Sequence, residues 1–194
     1  MKPLVVVCLL LGLPSAAFAQ AESPVIEVRG GFGLSNYLHG DLGYTAPTWL
    51  AAVRFGSGPF VVEGELAGAS HEERQTFGPA QGSSTQTVTI SRNTFRSAGA
   101  NLLARWGHRV SAFAGGGPGL FWERSKYEVQ APNGYTLDNT RGPRLGAQIV
   151  AGLDVPVASR VKAFGQFRYE VRSFEDPGGG SVVQGFAGIA VALR

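Results

Sequence analysis

From Val25 to its end, the chain divides into eight stretches of about ten residues in which apolar and polar side chains alternate. A period of two is typical of β-strands, because successive side chains point to opposite faces of a sheet. The stretch from Val161 to Ser173 is the clearest, whereas the glycines between 115 and 119 blur the stretch from Val110 to Trp122. The pattern predicts an all-β fold in which eight antiparallel strands close into an up-and-down barrel.

The connections between these stretches alternate in length. Three are tight turns, at Ser57–Pro59, Gly107–Arg109 and Pro156–Ser159. Four are longer and mostly polar, at Asn36–Ala46, His71 to about Arg96, Ser125–Pro143 and Glu175–Ser181. Short turns on one side and long loops on the other are typical of barrels in the bacterial outer membrane. Val88 and Ile90 continue the alternation within the second long connection, which predicts that the fourth strand projects beyond the bilayer.

The N-terminus has the features of an export signal. Lys2 precedes an apolar run from Leu4 to Leu13 that is too short to cross a bilayer as a helix, and Ala17-Phe18-Ala19 is a small-x-small cleavage site. Cleavage is expected after Ala19, with Ala21 as the alternative. This gives a signal peptide at 1–19 and a barrel domain at 20–194, without cysteine because Cys8 is removed.

The strands of a soluble barrel and of a membrane barrel both alternate between apolar and polar side chains. The polar side chains point outward in a soluble barrel and inward in a membrane barrel. Charged residues make up 16% of the chain, against about 25% in an average soluble domain. An Arg or Lys facing lipid near the midplane costs roughly 2–4 kcal/mol, and the apolar faces contain none. The sequence therefore predicts a transmembrane barrel in contact with outer-membrane lipids and lipopolysaccharide. With no basic run, nucleic acid is not an expected partner.

The same register directs a set of ionic side chains into the lumen. Such groups stay ionised in a narrow lumen only when they are paired, so they predict a salt-bridged plug. Glu27, Arg54, Glu63, Arg105 and Lys162 are expected near one level beside the tight turns, whereas Arg144 and Arg172 are expected to reach water at the rim. The full predicted network is Glu27, Arg29, Arg54, Glu63, Glu65, Arg105, Asp154, Lys162, Arg168 and Glu170. Five apolar residues fall on the polar side of their strands: Leu50, Leu103, Val150, Phe164 and Phe186.

Aromatic residues concentrate near the strand ends. Phe55, Phe60 and Trp106 lie beside tight turns, and Trp49, Trp122 and Tyr169 lie near the opposite ends. Amphipathic rings are favoured at headgroup depth, so these two sets predict aromatic girdles at the two membrane interfaces.

With these features on both faces, the mature chain resembles the small outer-membrane β-barrel proteins of the OmpA and OmpX kind. Its stretch from Val110 to Leu120 is similar to their glycine-rich mid-barrel strand. The resemblance implies insertion by the barrel-assembly machinery and roles in envelope integrity, adhesion or defence. One departure is the C-terminus, Ala192-Leu193-Arg194, where the family usually has an aromatic residue.

No catalytic, metal or cofactor site is expected. His39, His71 and His108 are scattered, and none lies in the His-x-Ser-Asn signature of the barrels that deacylate lipid A. The favoured function is a structural or surface-interaction role through the long extracellular loops. The alternatives are a soluble periplasmic or secreted barrel with an apolar lumen that binds a small apolar ligand and, less favoured, a lipid A-modifying enzyme. The oligomeric state is left open.

Overall fold

A computed structural model describes residues 25–38, 44–78, 86–107, 109–131, 133–172 and 180–193. The predicted signal peptide, 1–19, lies outside the described residues. Eight strands follow one another along the chain: β1 (Val25–Leu38), β2 (Tyr44–Ser57), β3 (Phe60–Phe77), β4 (Thr87–Trp106), β5 (Ser111–Gln130), β6 (Thr136–Ala158), β7 (Val161–Arg172) and β8 (Ser181–Ala192). Each pairs antiparallel with the next, and β8 pairs with β1 to close the barrel. The predicted fold class is confirmed.

The barrel has two dissimilar ends. At one end, called here the turn end, tight connections join β2 to β3, β4 to β5 and β6 to β7. At the other end β3 to β6 run on beyond the neighbouring strands. We call this extension the projecting sheet, made of residues 70–77, 87–94, 124–130 and 136–144.

The projecting sheet occupies much of what the sequence predicted to be loops. β3 stays paired with β4 up to Phe77 and Thr87, and β5 stays paired with β6 up to Glu128 and Thr136. The predictions of long loops at 71–96 and 125–143 are therefore wrong over most of their length. The sequence also predicted that β4 projects beyond the bilayer. The pairing of β4 with β3 and β5 as far as Thr87 and Val88 agrees with that prediction.

The outer surface of the barrel wall is apolar. Its exposed side chains include Phe32, Leu34, Leu66, Leu102, Leu145, Ile149, Leu153 and Ile189. The apolar residues that interrupted the alternation, Leu50, Leu103, Val150, Phe164 and Phe186, are instead buried inside the barrel. They fill the lumen between ionic side chains, so the interior is packed. Among the described residues, no helix is long and apolar enough to cross a membrane.

The glycine-rich strand β5 allows close contact with its neighbour. Phe113 and Phe121 are buried in the lumen, which fixes the face that the sequence left open. A Cβ atom built on Gly117 would lie 1.8 Å from the Ala100 carbonyl oxygen. Only glycine fits such a close backbone approach, which explains why a strand can tolerate so many of them here.

Candidate functional site

The lumen contains a compact ionic group near the turn end. This turn-end cluster consists of Glu27, Arg29, Arg54, Glu63, Asp154 and Lys162. It forms because Glu27, Arg54 and Glu63 occupy neighbouring positions across β1, β2 and β3. Asp154 reaches the same point from β6 on the opposite wall. The cluster thus joins elements that are far apart in the chain.

Each arginine of this cluster contacts several carboxylates. Arg29 donates to Glu27 at 2.7 Å and to Asp154 at 2.9 Å. Arg54 donates to Asp154 at 2.9 Å and, through two nitrogens, to Glu63 at 2.8 and 3.0 Å. Lys162 donates to the other oxygen of Glu27. Three cations therefore meet three carboxylates, and the cluster is neutral.

Aromatic rings cover the guanidinium faces that the carboxylates leave open. The Arg29 guanidinium carbon lies 4.2 Å from the Phe164 ring centroid, and that of Arg54 lies 4.3 Å from Phe113. Cation–π contact favours a desolvated guanidinium over an aromatic face. Phe164, which interrupted the sequence alternation, thus has a defined position within the ionic core.

A second ionic group lies closer to the projecting sheet. This sheet-end cluster consists of Glu65, Arg168, Glu170 and Arg172, and it too is neutral. Arg168 lies 2.6 Å from Glu65 and 2.9 Å from Glu170, and Arg172 lies 2.9 Å from Glu170. Neutral side chains complete it: Gln184 accepts from Arg168 at 2.6 Å, and Gln148 donates to Glu65 at 2.6 Å.

The predicted network residues lie in the barrel interior with two qualifications. The side chain of Lys162 is 26% exposed, and Arg105 is half-buried at the turn end. Glu63 is opposite Asn101 in the register, so Arg105 lies nearer the turn than the level expected from counting residues. Neighbouring strands of a barrel are staggered, so residues at the same distance from a turn in sequence lie at different heights along the barrel axis. Counting residues from the turns does not take this stagger into account.

Arg172 was expected in water but is enclosed by aromatic rings. Its guanidinium carbon lies 5.0 Å from the Phe95 ring centroid, 5.3 Å from Tyr37 and 5.5 Å from Phe121. These rings close the lumen at the base of the projecting sheet. Tyr37 and Phe95 come from stretches that the sequence predicted to be loops, and Phe121 comes from the stretch that the glycines blur, so only the register brings the three together.

The aromatic residues predicted to form girdles have side chains at the two ends of the apolar wall. Phe55, Phe60 and Trp106 are exposed on the outer surface at the turn end. At the other end Trp49 is exposed, and Trp122 and Tyr169 are partly exposed. Tyr169 also donates to Ser181 on β8 at 3.0 Å.

Surface ion pairs occur on the projecting sheet. Arg92 donates to Glu72, and Arg124 donates to both oxygens of Asp138 at 2.6 and 3.0 Å. The hydrogen bonds from Arg124 hold the pKa of Asp138 below its ordinary value of 3.8, and they outweigh an opposing effect of desolvation. These pairs connect adjacent strands on the outward face.

The described residues contain no group of three or more His, Cys, Asp or Glu side chains arranged to hold a metal ion. His71 lies on β3, at the base of the projecting sheet. His39 and His108 lie outside the described residues. The expectation of no catalytic site therefore stays a prediction.

Comparison with known proteins identifies the type of barrel. A sequence model of the family described as outer membrane protein beta-barrel domain matches residues 5–194. A search of curated proteins finds no match. The fold is similar to that of Ail from Yersinia pestis in complex with the heparin analogue sucrose octasulfate, with a TM-score of 0.60 and 13% identity over 89% of this chain and 100% of that chain.

Two further solved structures show the same fold at low identity. A major outer membrane protein from Thermus thermophilus is 12% identical with a TM-score of 0.59, over 89% of this chain and 100% of that chain. Neisserial surface protein A is 10% identical with a TM-score of 0.55, over 88% of this chain and 99% of that chain.

Proposed function

Because this chain belongs to the outer membrane protein beta-barrel domain family and lies in the bacterial outer membrane, we propose that it is a surface-interaction protein. Its barrel anchors the projecting sheet outside the cell, and this sheet binds an extracellular protein partner. The turn end then faces the periplasm, as in other barrels of this type. The soluble-carrier alternative is wrong, because the protein is an outer-membrane barrel and its lumen carries buried ion pairs.

The observation that carries this proposal is the pair of free edges on the projecting sheet. Among the described residues, β2 pairs with β3 only as far as Ala69, and β7 pairs with β6 only from Gly146. Within the described part of the chain, the stretches 72–77 of β3 and 136–144 of β6 therefore have no neighbouring strand on their outer side. Such edges are templates for a strand from another chain.

The lumen supports an anchor rather than a pore. An eight-stranded barrel leaves room for little more than its own side chains. Here that room is filled by two neutral ionic clusters with apolar residues between them. We infer that the barrel is a salt-bridged plug, and that its rigidity keeps the projecting sheet in place.

The outer surface supports insertion between two interfaces. Phe55, Phe60 and Trp106 form the periplasmic girdle, and Trp49, Trp122 and Tyr169 form the extracellular one, in contact with lipids and lipopolysaccharide. Insertion proceeds through the barrel-assembly machinery.

A binding role also fits the solved relative Ail, whose structure was determined with a heparin analogue. No arrangement of the described residues favours catalysis, so we propose no enzymatic activity, including modification of lipid A.

Photo-crosslinking on intact cells tests the proposal. A photoreactive amino acid is introduced at Gln75 on the β3 edge or Asn139 on the β6 edge, and the control position is Val157, which is exposed at the turn end. Cells are incubated with an extracellular protein mixture such as serum and irradiated. We expect crosslinks to extracellular protein from one or both edge positions and none from Val157.

A second arm removes the edges themselves. Deletion of residues 73–91 and 126–138 shortens both hairpins while leaving the barrel wall. We expect this variant to reach the outer membrane, to migrate as a folded barrel on unheated gels, and to lose binding. Binding that persists without the projecting sheet, or edge positions that crosslink no protein, would contradict the proposal and favour a structural role.

A further inference from the structure

A row of outward-facing side chains crosses four strands where the projecting sheet leaves the barrel wall. The register places Trp49 of β2 opposite Gly68 of β3. Gly68 is opposite Arg96 of β4, which is in turn opposite Trp122 of β5. A Cβ atom built on Gly68 would lie 2.8 Å from the Trp49 indole, so this ring covers the glycine that separates Trp49 from Arg96. In the register Arg96 therefore lies between Trp49 and Trp122.

The row lies at the depth of the outer-leaflet headgroups. On β4, Arg96 and Trp106 are separated by 106 − 96 = 10 residues. At about 3.3 Å per residue and a strand tilt of about 40°, this separation spans about 25 Å of membrane thickness. The apolar band of outer-membrane barrels is also about 25 Å tall. With Trp106 at the periplasmic edge of this band, Arg96 is at the extracellular edge.

Arg96 differs from Arg92 and Arg124, which lie on the same outward face. Arg92 is paired with Glu72, and Arg124 is paired with Asp138. Arg96 is exposed and forms no ion pair or hydrogen bond with another described residue. All the N–H donors of its planar guanidinium group are therefore available to a ligand.

We propose that Arg96, flanked by Trp49 and Trp122, binds the phosphate group of a phosphorylated lipid in the outer leaflet. A guanidinium matches phosphate with two parallel hydrogen bonds, which a neutral headgroup cannot provide. The indole rings pack against the adjoining sugar and the upper acyl carbons. The inference depends on membrane placement and not on the sheet edges, so either proposal can fail without the other.

The ligand is a lipid and not a soluble phosphate, because the site borders the apolar wall of the barrel. Below Arg96 on the same face of β4 are Ala98, Ala100 and Leu102, which belong to the apolar wall. A phosphate bound at Arg96 therefore has acyl-binding surface directly beneath it.

The test uses purified, folded full-length protein in dodecyl maltoside, a detergent without phosphate. The probes are diphosphorylated lipid A, the same lipid after removal of its phosphates, and inorganic phosphate. Bound lipid is counted by native mass spectrometry during a titration. We expect tight binding of diphosphorylated lipid A, with Arg96→Gln weakening it roughly tenfold and Arg96→Lys weakening it less, because lysine keeps the charge but loses the fork.

The matched control is Arg160→Gln, which removes the same charge from an exposed position at the turn end. We expect it to change the affinity by less than about twofold, since that end is distant from the site. Equal binding of dephosphorylated lipid A, equal losses in the two glutamine variants, or equal occupancy by inorganic phosphate would each overturn the proposal. Unheated gels verify that every variant is a closed barrel, and Arg96→Lys alone carries the test if Arg96→Gln does not fold.

Discussion

The lumen and the projecting sheet contain the same kinds of ion pair in opposite surroundings. In the turn-end cluster, Arg29 contacts Glu27 and Asp154 at 2.7 and 2.9 Å, and all three side chains are buried. On the projecting sheet, the side chains of Arg92 and Glu72 remain 52% and 47% exposed. A contact list alone does not distinguish these pairs.

The difference lies in what happens when one partner is lost. Water solvates an exposed charge whose partner is removed, so surface pairs contribute about 0–1 kcal/mol. A buried charge has no such replacement, and the loss of its partner costs roughly 3–5 kcal/mol. The lumen clusters are therefore interdependent, whereas the pairs on the sheet act locally.

The largest expected effect is that of Glu63→Ala. Glu63 accepts two hydrogen bonds from Arg54 and lies 3.6 Å from the Arg29 guanidinium. Its removal leaves the turn-end cluster with one excess positive charge in a closed interior. We expect the free energy of unfolding to fall by roughly 3–5 kcal/mol, as measured by urea unfolding in lipid vesicles.

Glu72→Ala provides the matched comparison, because it also removes a carboxylate of β3 that is paired with an arginine of the neighbouring strand, here Arg92 of β4. We expect its cost to stay below about 1 kcal/mol and to shrink at high salt. Planar-bilayer recordings of Glu63→Ala should show no large conductance, since the apolar residues still fill the lumen. Similar costs for the two variants would contradict the distinction between lumen and sheet.

A smaller effect comes from removing both charges of one lumen pair. Arg54→Met alone leaves the turn-end cluster with an excess carboxylate, and Glu63→Leu alone leaves an excess cation. The double variant restores neutrality, so we expect its cost to be lower than the sum of the single costs by about 1–3 kcal/mol. Urea unfolding of all four proteins measures this coupling. Additive costs would show that the cluster does not behave as a unit.

The sequence predicted the wall of the barrel well because alternation is a local signal. Ile149 and Gln148, for example, fall on opposite faces from their positions in the chain alone. Pairing across the lumen is different, since Arg29 and Asp154 are 125 residues apart in the chain. Their contact depends on strand stagger, which no local pattern encodes.

The projecting sheet escaped prediction for the opposite reason. Its strands carry polar residues on both faces, so Glu72 and Glu73, for example, follow one another without a continuous apolar face. A strand without an apolar face has no alternation to detect. Only Val88 and Ile90 gave a signal, and they correctly indicated that β4 continues.

The smallest expected effect concerns pH, and it separates the sheet from the lumen. Hydrogen bonds from Arg124 hold the pKa of Asp138 below its ordinary value of 3.8. A lowered pKa means that the pair stabilises the β5–β6 hairpin above pH of about 4 and that this contribution is lost as the pH falls through the lowered value. NMR titration of the Asp138 carboxyl should show the low pKa, and Arg124→Gln should return it toward 3.8. At neutral pH, Arg124→Gln should leave the amide protection of the barrel wall unchanged, because Arg124 and Asp138 do not contact the lumen clusters. An unchanged Asp138 pKa in Arg124→Gln would show that this pair contributes nothing to the sheet.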